Sequence, residues 1–105
     1  MIDKSSLHEI QKIIHDWITE HGGYWPPLAM LSAIIEEIGE LAKEINHLEG
    51  YKPKKHYDEE SKLGEELADV LYALICIANY YKIDLNHELD NVINKYSIRD
   101  SKRFI

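Results

Sequence analysis

The stretch Leu31–Leu48, LSAIIEEIGELAKEINHL, carries two patterns at once. Leu31, Ile34, Ile35, Ile38, Leu41, Ala42, Ile45 and Leu48 recur at three- and four-residue spacing, which marks one apolar face of a helix. Pro26-Pro27 suits the first turn of that helix and Gly50 suits its end. The second pattern is acidic: Glu36, Glu37, Glu40 and Glu44 are threaded through the stripe. With Ile38 at the centre of the face, the stripe spans about 140° of arc. Glu37 falls on its edge, Glu40 and Glu44 lie just beyond on the same side, and Glu36 turns toward the opposite face.

Outward from this stretch the chain reads as three more helices. Upstream, Leu7, Ile10, Ile13, Ile14, Trp17 and Ile18 predict a helix over Ser6–His21, stopped by Gly22-Gly23. Trp17 lies on its apolar stripe and is expected in the core. Downstream, a polar connection from Tyr51 to Glu60, with Lys52, Lys54 and Lys55, leads to a third helix over Ser61–Tyr81. The run Val70–Ala78 is apolar on all sides, so this helix is expected to be the central and most buried one. Asp84 is a good N-cap for a fourth helix carrying Leu85, Leu89, Val92, Ile93 and Tyr96, followed by a tail from Ser97 to Ile105. No strand alternation and no repeat interrupts the pattern. The predicted fold class is all-α, an antiparallel four-helix bundle-like domain formed by residues 1–105 as a single unit. Three partners cover a helix that is apolar all round poorly, so a homodimer or homotetramer is expected.

Composition removes several functions. Of 105 residues, 19 are acidic and 12 are Lys or Arg, a net charge of −7, which argues against nonspecific nucleic-acid binding. The single cysteine, Cys76, fits a reducing compartment. No basic segment followed by an apolar stretch opens the chain, and Val70–Ala78 is far short of the ~20 residues needed to cross a bilayer. A cytoplasmic protein without nucleic-acid or membrane partners is expected.

The chemistry lies in the acids. Glu66 and Asp69 share one side of the third helix, and that side continues as Ala73, Cys76 and Ile77. The 25 residues between Glu40 and Glu66 leave room to finish one helix and return antiparallel, so that the two acid pairs face each other. Carboxylates held this close repel unless protons or cations relieve them. Four or five oxygen donors suit Mg²⁺ or Mn²⁺, and the lack of His or Cys beside them disfavours zinc. Glu44-Ile45-Asn46-His47 forms one ExxH unit of the kind found in di-iron bundles, but such sites need two. A noncatalytic helical interaction module is a further alternative.

The order Glu36-Glu37-Ile38-Gly39-Glu40, then Glu66-Leu67-Ala68-Asp69, resembles the EExxE…ExxD pattern of the MazG-like nucleotide pyrophosphohydrolases, members of the all-α NTP pyrophosphatase superfamily. Pro27-Leu28-Ala29-Met30, Asp69-Val70-Leu71, Lys95 and Arg99-Asp100 extend the resemblance over nearly the whole chain, in the short single-domain form. The resemblance implies hydrolysis of a (deoxy)nucleoside triphosphate between its α and β phosphates. Glu37, Glu40, Glu66 and Asp69 would then hold Mg²⁺, with Mn²⁺ as the alternative, and Glu36 or Glu37 would act as a further ligand or as the base on water. Lys95, Arg99, Asn79 and Trp25 are the candidates for holding the substrate. Phosphoribosyl-ATP pyrophosphatase and dUTPase-like specificities are the nearest rivals within the superfamily. Some relatives carry a tyrosine one turn after the second-motif aspartate, where this chain has Ala73 beside Tyr72.

Overall fold

Several helix ends fall on an identifiable group. In α1, Leu7–Glu20, the Ser6 hydroxyl accepts a hydrogen bond of 3.2 Å from the Glu9 amide, capping a free N–H of the first turn. At its end Gly22 (φ +107°) and Gly23 (φ +87°) turn left-handed, and the Gly23 N–H reaches the Ile18 carbonyl at 2.9 Å. α2, Pro27–Leu48, begins on Pro27, whose missing N–H costs nothing at that position. α3, Leu63–Tyr80, closes like α1, through Ile83 N–H to the Ala78 carbonyl at 2.8 Å, yet its left-handed residue is Lys82 (φ +58°). Asp84 Oδ1 accepts from Asn86 N–H at 3.0 Å and opens α4, Leu85–Ser101.

The structure, a computed structural model, describes residues 6–50 and 62–101. Among them are four α-helices and no strand, as the all-α reading requires. The lysines at 52, 54 and 55 fall outside the described residues. One boundary is corrected: α4 runs on to Ser101 rather than giving way to a tail at Ser97, because no glycine or proline breaks it there.

The chain divides into two units, Met1–Tyr24 with Ala78–Ile105, and Trp25–Ile77. In the first, α1 packs on α4, and Ile14, Ile18 and Ala78 are buried. Gln11, also buried, ties this unit together. Its Nε2 donates to Asn79 Oδ1 at 2.9 Å and to the Ile83 carbonyl at 2.8 Å, while its Oε1 accepts from Leu85 N–H at 2.9 Å. Asn79 Nδ2 returns a bond of 3.0 Å to the Gln11 carbonyl. One amide thus joins α1 to the end of α3, to the turn after it and to the first N–H of α4, which has no partner within its own helix.

The second unit holds α2 and most of α3, with Met30, Ile34, Ile75 and Cys76 buried. Two packing expectations are corrected. Trp17 is not core: it is 56% exposed and stacks on His21, one turn along α1, at a ring separation of 4.1 Å. Nor is α3 sheathed on all sides. Ile75 is fully buried, but Leu67, Leu71 and Leu74 face solvent in the single chain, as do Leu31, Ile35 and Ile38 of α2. In addition, no helix among the described residues is long and apolar enough to cross a membrane.

Candidate active site

The two acidic motifs meet because α2 and α3 run antiparallel in one register. Glu44 of α2 accepts the Lys62 backbone N–H at 3.1 Å, just before α3 begins. Glu37 lies seven residues before Glu44, and Asp69 lies seven after Lys62. At 1.5 Å per residue each step is about 10 Å along its helix, so Glu37 and Asp69 arrive at the same level. Four-residue steps from the same bond bring Glu40 level with Glu66. Seven residues is close to two turns, so each helix also returns to the same face.

The side chains follow this backbone logic. Glu37, Glu66 and Asp69 each offer a carboxylate oxygen, and the three atoms lie within 4.8 Å of one another. Glu37 and Glu66 are half-buried and Asp69 is exposed. Loss of surrounding water pushes the Glu66 carboxyl above the usual carboxylate range; a hydrogen bond with Glu37 and the charges of Glu37, Asp69 and Glu40 push it further the same way. Glu40 is exposed, close enough for its charge to act on Glu66. Glu36 is exposed as well. A cluster made only of acceptors, with no His or Cys among the three, fits a hard divalent cation with an oxygen shell.

The other sequence candidates lie elsewhere. Lys95 and Arg99, on α4 in the first unit, both stand over the Tyr96 ring, with Lys95 Nζ at 4.8 Å and Arg99 Cζ at 4.5 Å from its centre. Arg99 also forks onto the neighbouring Asp100, Nε donating at 2.7 Å and Nη2 at 3.1 Å. Asn79 is engaged at both ends of its amide by Gln11. Trp25 is 65% exposed at the start of the second unit, and its neighbour Tyr24 shares a hydrogen bond of 2.8 Å with His15. Sequence reasoning left Glu44 without a role beyond the lone ExxH unit. The structure buries it and hangs the start of α3 on it. Its spacing of seven from Glu37, on the same side of α2, is the signal that could have found it.

The fold and the paired acidic motifs define a nucleotide pyrophosphohydrolase of the all-α type, and comparison with known proteins agrees. Residues 26–104 match the MazG nucleotide pyrophosphohydrolase domain, and the chain belongs to that family. YpjD, an uncharacterized protein of Bacillus subtilis strain 168, is 41% identical over 105 residues, covering 99% of this chain and 94% of its own. The crystal structure of YPJD from Bacillus subtilis superposes with a TM-score of 0.80 at 40% identity, over 91% of this chain and 98% of that one. A Bacillus-conserved MazG protein, a nucleotide pyrophosphohydrolase, gives 0.74 at 38% identity, over 90% and 93%.

Proposed function

We propose that this enzyme hydrolyses a (deoxy)nucleoside triphosphate between the α and β phosphates in an Mg²⁺-dependent reaction. Water adds to the α phosphorus, the bridging P–O bond breaks, and a nucleoside monophosphate and pyrophosphate leave. The observation that carries this reading is the convergence of Glu37, Glu66 and Asp69 oxygens within 4.8 Å, in a chain of this family. Glu37, Glu40, Glu66 and Asp69 hold the cation in this reading, with Mn²⁺ as a substitute. When bound, the cation neutralises phosphate charge and lowers the pKa of a coordinated water. Glu36 or Glu37 accepts the proton of the attacking water.

Lys95 and Arg99, gathered on one tyrosine ring, supply fixed positive charge for phosphate oxygens. The open indole of Trp25 offers a flat surface for a base. Asn79 keeps hydrogen-bonding capacity beyond its two bonds to Gln11 and joins the substrate contacts through it. The family match runs through both units, which supports a single catalytic domain. The exposed leucines and isoleucines of α2 and α3 support a homodimer or homotetramer, and the acidic surface supports a cytoplasmic enzyme without nucleic-acid or membrane partners. Clearance of unwanted nucleotides from the cellular pool is the role that fits this reaction.

The deciding experiment is a panel of canonical, deoxy and modified triphosphates, with dUTP and phosphoribosyl-ATP included, assayed for products with Mg²⁺ and with EDTA. Monophosphate and pyrophosphate in equal amounts, abolished by EDTA, are expected. Absence of hydrolysis across the panel, or release of orthophosphate instead, refutes the reading. Light scattering of the purified protein tests the oligomer, and a monomer at working concentration refutes it.

A further inference from the structure

Glu44 is buried, ionisable and absent from the chemistry proposed above. Its side chain leaves α2 and accepts the Lys62 N–H at 3.1 Å. The carbonyl of the same Lys62 accepts the Glu66 N–H at 2.9 Å, an opening bond of α3. Two hydrogen bonds in series therefore connect the Glu44 carboxylate to the backbone of Glu66. Glu44 also sits one turn from Glu40 and two turns from Glu37, on the same side of α2. Slipping α3 by one residue against this bond would move Glu66 and Asp69 about 1.5 Å along the helix and turn them by about 100°. That motion carries both acids away from Glu37.

We infer that Glu44 is a positioning residue: a peg that fixes the register of α3 on α2 and so holds Glu66 and Asp69 at the cation site. It acts through reach, as an acceptor of the right length, and not through charge at the cation. The inference rests on the proposed reading of Glu37, Glu66 and Asp69 as cation ligands.

Reach and charge are separable by two variants. Glu44→Gln keeps the acceptor oxygen at the same distance and removes the charge; Glu44→Asp keeps the charge and shortens the side chain by one methylene. Mn²⁺ affinity is measured without nucleotide, from the loss of the free-ion paramagnetic resonance signal, with circular dichroism to check helix content. Glu44→Asp is expected to bind Mn²⁺ at least about tenfold more weakly, in the range set by losing a supporting partner of a metal ligand. Glu44→Gln is expected to bind like the parent. Weak binding by Glu44→Gln overturns the inference, because charge then matters. Parental affinity in Glu44→Asp overturns it as well. Should Glu44→Asp fail to fold, Glu44→Ala, which removes the acceptor, takes its place: weakened Mn²⁺ binding is expected, and parental affinity overturns the inference. Glu37→Gln serves as the reference. If it binds Mn²⁺ as the parent does, the cation site is refuted and the peg with it; if it loses Mn²⁺ while Glu44→Asp keeps it, only the peg is refuted.

Discussion

In the first unit, the buried amide of Gln11 meets a complementary partner at each polar atom: two acceptors for its nitrogen and one donor for its oxygen. In the second, Glu37, Glu66 and Asp69 bring three carboxylate oxygens within 4.8 Å of one another, acceptors alone when ionised. Both clusters bring together residues distant in sequence, but only the first is complete among the described residues. A satisfied network specifies one arrangement and holds it. An unsatisfied one of like charge costs stability unless something else enters, and that deficit is the physical form of a binding site.

The comparison breaks first at the carboxylates. Glu37→Gln or Asp69→Asn should lower pyrophosphate release by more than about a hundredfold, beyond the usual cost of losing an outer partner of a metal ligand. The helical circular dichroism should persist, and the cation-free melting temperature should not fall. Near-parental turnover in either variant removes that residue from the site. The opposite pattern is expected at Gln11. Gln11→Leu leaves the Ile83 carbonyl, the Leu85 N–H and the Asn79 amide without this partner, and should destabilise the protein by about 3 kcal/mol, with denaturant unfolding as the readout. A loss well under 1 kcal/mol, small beside the desolvation penalty of even one unpaired group, would show that water replaces the amide at little cost.

A subtler test uses protons. The Glu66 carboxyl is held above its ordinary range, so the folded protein binds this proton more tightly than the unfolded chain does. The stability from that proton is full below the unfolded-state pKa and is lost as pH rises through the higher folded-state value. The cation-free melting temperature should therefore carry a component that falls across the mildly acidic range. Glu66→Gln should remove that component, and an unchanged slope would sink the assignment. The smallest effect concerns the end of α3, where Lys82 occupies the left-handed position that glycine fills after α1. Lys82→Gly should gain up to about 1 kcal/mol, the steric cost of that conformation less the entropy of glycine. A loss of stability instead would mean that the lysine side chain makes contacts that outweigh the strain.

Much of this was legible in the chain. Periodicity located four helices, and the Gly pair, the prolines and Asp84 marked their ends, because these signals are local. The projection of Glu37 to the apolar edge, with Glu36 turned away, agrees with a half-buried Glu37 and an exposed Glu36. What periodicity could not give was which apolar faces a single chain covers. Trp17 and Leu74 lie on apolar faces and still meet solvent. The role of Asn79 was also hidden, because a buried amide announces a need for partners but not their identity, and Gln11 lies 68 residues away. For Glu44 the spacing from Glu37 marked a shared side of α2, but not the partner, which is a backbone N–H that any residue type supplies.

The antiparallel pairing of α2 and α3 has a consequence for how this chain tolerates change in length. The acids are matched by counting from the Glu44–Lys62 bond inward, and the residues between Gly50 and Lys62 do not enter the count. One residue added between Glu37 and Glu44, or between Lys62 and Asp69, rotates half of the site by about 100°. Drift in length is therefore forbidden in two segments, and both are seven-residue steps of the same ladder.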